Sequence, residues 1–270
     1  MLRKEIQDTL KSTRSKFVMA LFAGIVFYDF LTKLWGNYND FWLHPEAYGG
    51  VMPANMLSHP ALMGFLSGGQ TGHLPQIVIV WLLPIWCLLL CGDSYISEYR
   101  NGYLPMLYSR IDRKKIFICK IAGAFLSAAG IFGGILLLNF GMCILAFGKG
   151  IAFHGIERYA HEVSLWMEFS VKHPILVYLI YVLLFAVLCG LLCSVCVCIS
   201  FYFPNYPILY SICFMIWYPQ ILGKYSMAIV VQPFSMAKTE NLLTGIGIFC
   251  VLAFFVLILG YVRKAKYETL

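Results

Sequence analysis

Charge is scarce in this sequence. Asp, Glu, Lys and Arg supply 12% of its 270 residues, while 60% of the residues are hydrophobic; soluble domains carry about 25% charged residues. From residue 34 to residue 99 there is no Lys or Arg at all. A soluble fold of this length leaves about a quarter of its chain surface in water, too much for so apolar a chain. The composition therefore excludes an ordinary soluble enzyme, a disordered chain and a secreted disulfide scaffold, and it predicts an integral membrane protein.

The motifs of several enzyme classes are also missing. Both Gly-Lys pairs, Gly148-Lys149 and Gly223-Lys224, lack the upstream glycine of a P-loop, so the chain is not expected to hold ATP. The metalloprotease pattern H-E-x-x-H and the nucleophile elbow G-x-S-x-G do not occur either. Residues 66–70 spell LSGGQ, the signature of ABC ATPases, but without a P-loop we interpret them as a Gly-Gly turn. The chain is not expected to be an enzyme.

Six apolar runs approach the length of about 20 residues that a membrane-spanning helix needs. We therefore expect an all-α membrane protein in which residues 17–262 form a six-span transmembrane domain. The second run contains Pro84, and the fifth is short. The spans are expected at residues 17–34, 74–91, 116–147, 175–203, 207–222 and 242–262.

The distribution of Lys and Arg predicts the orientation. Five of them lie in residues 1–16, six in residues 92–120 and three in residues 263–270, against five on the opposite side of the membrane. Because cytoplasmic loops are enriched in Lys and Arg, both termini are expected in the cytoplasm and the protein in the cell membrane. The positive charges flank spans and form no single stripe, so nucleic acid is not an expected partner.

The first 16 residues form an amphipathic pattern. Leu2, Ile6 and Leu10 recur at helical spacing, with basic residues such as Lys4 and Lys11 on the other face. This predicts a helix at the cytoplasmic surface of the bilayer, with its basic residues near the lipid headgroups. Residues 263–270 are expected to form a cytoplasmic tail.

A family resemblance becomes visible between the second and third predicted spans. Residues 98–102 read E-Y-R-N-G, residues 109–113 read S-R-I-D-R, and Lys120 follows. This stretch resembles the corresponding loop of ABC-2-type permeases, the membrane subunits of ATP-driven exporters. Those proteins also have a basic interfacial helix, six spans and cytoplasmic termini, an arrangement called type V exporter-like.

The resemblance implies a set of partners. Two permeases, identical or related, would pair in the membrane, and each would dock a separate ABC ATPase that carries the ATP and Mg; this chain would hold no cofactor. The cargo would be hydrophobic or amphipathic, such as an antimicrobial or toxin peptide. The residues implied for docking and coupling are Glu98, Arg100, Gly102, Arg110, Arg113 and Lys114.

Four residues are candidates for a translocation path. Asp29 is an acid inside the first predicted span, and such residues are often functional. Lys33 lies one turn away, so the two can instead form a pair that snorkels outward. Asn139 is a polar residue in the third span, and Tyr210 and Trp217 belong to an aromatic region that suits an amphipathic cargo.

Small residues recur on one face of the third predicted span. Gly123, Ser127, Gly130 and Gly134 are spaced by four, three and four residues, and such faces allow helices to approach closely in lipid. The pattern is compatible with packing inside the bundle and with a dimer contact.

Other features leave alternatives open. The ten Cys fall in or beside predicted spans, with Cys189, Cys193 and Cys196 on one face, where we interpret them as packing residues and not as a metal site. All six His fall on the predicted external side, which keeps a metal or ion exporter as an alternative; a membrane sensor or enzyme is another. Residues 155–172 are expected to form a surface helix, and residues 224–238 are candidates for re-entering the membrane.

Overall fold

Helices account for the regular secondary structure of the described residues, apart from one isolated bridge between Ser58 and Ala152. The computed structural model describes residues 1–48, 52–67, 74–102, 106–107, 109–235 and 237–266, with the backbone alone at 93–95, 99, 159, 161–163 and 263–266. The all-α class is therefore confirmed. The glycines of the 66–70 stretch lie outside the described residues, so the turn predicted there stays a prediction.

The described residues contain thirteen α-helices, which are numbered in chain order. They are α1 (Leu2–Lys11), α2 (Thr13–Leu43), α3 (Pro60–Met63), α4 (Leu74–Trp81), α5 (Leu83–Cys87), α6 (Asp93–Arg100), α7 (Arg113–Phe147), α8 (Ile156–Val163), α9 (Leu165–Lys172), α10 (Pro174–Ser200), α11 (Tyr206–Ile221), α12 (Met227–Val230) and α13 (Thr239–Lys266).

Among the residues that the structure describes, four helices are long and apolar enough to cross a membrane. They are α2, α7, α10 and the Thr239–Val262 part of α13. Helix α10 is the central one, since 78% of its most apolar window is buried against 22–44% in the other three. The protein is thus a multi-pass helical membrane protein by length and composition. Helix α2 is longer than the span predicted at residues 17–34, since the helix begins at Thr13 and ends at Leu43.

The second predicted span is a bent pair of helices. Helix α4 and the helical stretch Leu83–Glu98 meet at 61°. Pro84 has no N–H to donate to the carbonyl of Val80, four residues back. The indole N–H of Trp217 donates to that carbonyl instead, at 2.9 Å. A π-helical turn, Leu88–Gly92, continues the stretch, and Ser15 Oγ donates to Leu90 O at 3.1 Å.

The fifth predicted span is helix α11, and it is short. Its 16 residues extend about 24 Å, less than the roughly 30 Å of a bilayer's hydrocarbon core. Four helices therefore meet the requirement for a span, and the bent pair can supply a fifth. The count of six stays a prediction.

The two ends of the bundle are built from different elements. At one end, the terminal end, α1 packs on α7, and the start of α7 contacts the carboxyl ends of α10 and α13: Phe117 lies 5.1 Å from Phe201 and 6.2 Å from Tyr261, between ring centroids. The other end, the opposite end, carries residues 44–48 and 52–67, α8, α9 and α12. The single helix expected over residues 155–172 is wrong in detail. Ser164 has an extended backbone and begins a new helix by accepting a hydrogen bond from Met167 N–H at 3.2 Å.

Candidate functional site

A buried ion-pair cluster lies at the terminal end. The Lys120 ammonium is 2.8 Å from Glu98 Oε2 and 3.3 Å from Glu5 Oε2, and the Lys120 side chain is only 3% exposed. Glu5 belongs to α1, Glu98 to α6 and Lys120 to α7. The three side chains, called the Lys120 cluster here, therefore join three separate helices through one charge.

Gly123 makes this junction possible. It lies one turn beyond Lys120 on α7, and a Cβ placed there would sit 3.1 Å from the Cβ of Glu5. Glycine thus lets α1 approach α7 closely enough for Glu5 to reach the ammonium. A polar cleft of about 360 Å³ adjoins the cluster, with Asp8, Arg14 and Ser97 in its walls.

The structure places the residues predicted for docking in different environments. Glu98 is half-buried and bound to Lys120, so its part in docking or coupling stays a prediction. Arg100 is exposed, with its guanidinium 5.0 Å from the ring centroid of Tyr206. Gly102 has a φ of +68°, a left-handed conformation that glycine adopts most easily.

The remaining docking candidates lie at the start of α7. Arg110 and Lys114 are exposed and Arg113 is half-buried. Asp112 caps this helix, since its Oδ1 accepts from Lys114 N–H at 3.2 Å. The first turn of α7 holds no acid and begins with three basic residues, which is the unfavourable sign for a helix amino terminus. Helix stability therefore does not explain these charges.

A second polar cluster is buried toward the opposite end. The Lys33 ammonium is 3.0 Å from Asp29 Oδ2, and it also donates to Gly64 O at 2.9 Å and to Ser67 O at 3.4 Å. The Asp29 side chain is 3% exposed and that of Lys33 16%. The interpretation as a pair that snorkels outward is therefore wrong: the pair turns inward and holds the backbone of another segment.

That segment, residues 57–67, is fixed by side chains from several helices. Phe65 N–H donates to Asn139 Oδ1 at 3.0 Å, and Leu66 N–H donates to Tyr178 OH at 3.4 Å. Gln76 Nε2 donates to Leu66 O at 3.0 Å. Irregular backbone is tolerated at membrane depth only where protein or water satisfies its polar groups. These amide and phenol groups meet that requirement for the 57–67 segment.

The candidates for a translocation path are mostly engaged in such internal contacts. Asp29 and Asn139 both support the 57–67 segment. Trp217 is 2% exposed, donates to Val80 O and packs edge-on against Phe249. Tyr210 on α11 is half-buried. Asp29, Asn139 and Trp217 therefore hold the bundle together in this conformation and line no open passage among the described residues.

The stripe of small residues on α7 does not act as one packing face within the chain. Gly123 and Ser127 are buried. At Gly130 and Gly134, an added Cβ would have no heavy atom of the described structure within 4 Å beyond the neighbouring backbone of its own helix, whereas at Gly133 such a Cβ would be 2.9 Å from the Cβ of Ala186 on α10. The close helix approach within one chain therefore lies at Gly133, and a contact of Gly130 and Gly134 with another copy stays a prediction.

Gly133→Ala and Gly130→Ala should therefore have opposite effects. We expect Gly133→Ala to destabilise the protein by about 1–3 kcal/mol because α7 and α10 must separate. Gly130→Ala should be neutral or slightly stabilising, since alanine favours the helix and meets nothing. Thermal unfolding in detergent measures both. Equal losses would contradict the packing assigned to Gly133, and a change of oligomeric state in Gly130→Ala alone would place Gly130 against a second copy.

The cysteines and histidines make ordinary structural contacts. Cys193 Sγ donates to Cys87 O at 3.6 Å, and Cys87 Sγ donates to Cys189 O at 3.8 Å. Burial lowers the pKa of His59, which favours the neutral ring whose Nδ1 accepts from Ala61 N–H. Among the residues that the structure describes, no group of three or more His, Cys, Asp or Glu could hold a metal ion.

Sequence reasoning missed the partners of two clusters. Lys120 and Gln76 each stand alone in an apolar run, and an isolated polar residue in such a run is the signal that could have identified them. Glu5 and Tyr178 carry no such signal.

Comparison with known proteins gives one informative match. No family model and no solved structure matches the chain. The uncharacterized protein YybM of Bacillus subtilis (strain 168) is 30% identical over 219 residues, which are 81% of this chain and 87% of YybM. The chain belongs to the YybM family. The shared length spans most of both chains, so the similarity is not confined to a local motif.

Proposed function

We propose that this chain is the permease subunit of an ATP-driven exporter of the ABC-2 type. Two copies, or this chain and a related one, pair in the cell membrane with six spans each and cytoplasmic termini. Each copy docks one separate ATPase at its terminal end. The cargo is a hydrophobic or amphipathic molecule, with a peptide as the expected class.

The Lys120 cluster is the observation that carries this proposal. An exporter must transmit movement from a docked ATPase to its spans. Glu98 lies on α6, next to the charged loop, and Glu5 lies on α1; both are tied to Lys120, inside the 35-residue helix α7. A displacement of α6 or α1 would therefore pull on the longest helix of the bundle through a buried charge.

The basic surface at the start of α7 supports the docking site. Arg110, Lys114 and Lys115 are exposed there, at a helix end whose dipole disfavours positive charge. Exposed charges of one sign suit a polar interface with an acidic surface on a partner, because such interfaces associate quickly and reversibly. The positive-inside bias explains the presence of basic residues but not their concentration at this helix start.

The 57–67 segment supports a closed resting state. It is buried between α2, α7 and α10 at the opposite end. In the proposed cycle, this segment moves when cargo leaves. The re-entry of residues 224–238 and the cytoplasmic termini belong to the same proposal.

Purification from the native cells in a mild detergent tests the proposal. We expect a P-loop ATPase to co-purify with the tagged chain, and the double change Arg110→Glu/Lys114→Glu to reduce its recovery about tenfold or more by reversing the docking charge. Lys149→Glu/Lys238→Glu, on the predicted external side, is the matched control. If the wild type recovers no ATPase, or both double changes act alike, the docking assignment is wrong.

A further inference from the structure

A cavity of about 560 Å³ lies between α11, the turn after it and α13. Pro219 lies in the last turn of α11, and Gly223, with a φ of +95°, reverses the chain beyond it. The returning chain rests on α13 at Gly245, where a Cβ would be 2.8 Å from Tyr225 O. Two helices held apart in this way leave a gap in which Met215 and Ile248 form part of the wall.

The cavity opens sideways, toward the surface that faces the membrane. Met215 is 77% exposed and Ile248 is 47% exposed, and α13 is the least buried of the four long helices. Apart from the few polar groups discussed next, its lining is aliphatic, aromatic or glycine. In a bilayer, such an opening is filled by an acyl chain or by an apolar surface of another protein.

The polar groups of the cavity distinguish between these occupants. Lys224 is exposed at its rim, with the ammonium 5.7 Å from the ring centroid of Tyr225. No carboxylate pairs with it in the described structure. Gln220, another polar side chain of the lining, donates through Nε2 to Ile216 O within its own helix. The cavity therefore offers a cation to an anionic ligand.

We propose that this cavity binds an anionic phospholipid. One acyl chain fills the apolar gap between α11 and α13, and the phosphate contacts Lys224. An apolar surface of another protein would supply no anion for this ammonium, whereas a lipid phosphate does. The proposal is independent of the exporter function.

Native mass spectrometry of the purified protein tests the site, with phosphatidylglycerol as the anionic lipid and phosphatidylcholine of matched chain length as the zwitterionic one. We expect one phosphatidylglycerol per chain to bind in preference to phosphatidylcholine. Lys224→Ala should weaken phosphatidylglycerol binding about fivefold and leave phosphatidylcholine unchanged. Lys238→Ala, a change of another exposed lysine outside the cavity, is the control. Equal binding of the two lipids, or equal effects of the two lysine changes, would overturn the proposal.

A further variant locates the acyl chain. Ile248→Trp fills the cavity and should remove the bound lipid, whereas Val251→Trp, on the same helix but outside the cavity lining, should not. If Ile248→Trp instead dissociates a dimer while lipid binding persists, the cavity is an interface between copies and the lipid assignment is wrong.

Discussion

Replacing Lys120 with methionine should destabilise the folded protein by about 3 kcal/mol, the lower end of the cost of breaking a buried ion pair. Methionine keeps most of the side-chain volume but removes the ammonium that lies within 3.3 Å of both Glu5 and Glu98. The two carboxylates are 22% and 27% exposed, so water reaches them only in part. For a chain of this size, the melting temperature in detergent should fall by about 6–12 °C.

Two comparisons make this result specific. Lys115→Met is the same chemical change on the same helix at an exposed position, and it should lower the melting temperature by no more than about 2 °C. Lys120→Met combined with Glu5→Gln and Glu98→Gln removes all three charges together and should recover more than half of the loss. If the triple variant is as unstable as Lys120→Met alone, packing and not charge accounts for the role of Lys120.

The same variants separate stability from coupling under the proposed function. The triple variant keeps neutral side chains of similar size, so α1, α6 and α7 should still pack. It lacks the charge that ties α6 to α7. Basal ATP hydrolysis by the docked ATPase should therefore persist, while its stimulation by cargo should fall. Unchanged stimulation would contradict a coupling role for the Lys120 cluster.

The long helices were predictable because their composition decides where they lie. Residues 116–147 and 175–203 are apolar over more than 25 positions, and α7 and α10 follow them within three residues at each end. The break in the second run was only half visible. Pro84 indicated that a hydrogen bond is lost, but nothing local indicates that Trp217, more than 130 residues away, supplies the replacement donor to Val80.

The clusters were less predictable than the spans. Lys120 stands out as an isolated cation in an apolar run, but its burial depends on Glu5, 115 residues earlier in the chain. Asp29 and Lys33 show their pairing by their spacing, but whether the pair faces outward or inward depends on where residues 57–67 fold. The sequence shows a charge pair when the two residues are one helical turn apart. It does not show which backbone carbonyls accept the other N–H groups of Lys33, because the tertiary structure brings those carbonyls into place.

The second large effect is expected at Lys33, where replacing the lysine should destabilise the protein more than replacing its partner Asp29. Lys33→Met should destabilise the protein by about 3–5 kcal/mol, because it leaves the buried Asp29 carboxylate without its ammonium and the Gly64 and Ser67 carbonyls without their donor. Asp29→Asn should cost less, about 1–2 kcal/mol. After that change, Lys33 can still donate to the Gly64 and Ser67 carbonyls, and the asparagine amide can accept from its ammonium.

Hydrogen–deuterium exchange in a peptide covering residues 57–67 gives the local measurement. The amides of Phe65 and Leu66 are held by Asn139 and Tyr178, and they should exchange at least about tenfold faster in Lys33→Met, because the segment opens more often when its anchor is lost. Lys16→Met, at an exposed position of the same helix, should leave this peptide unchanged. Equal acceleration by Asp29→Asn and Lys33→Met would mean that the pair acts by charge alone, since only the lysine change removes the donor to Gly64 and Ser67.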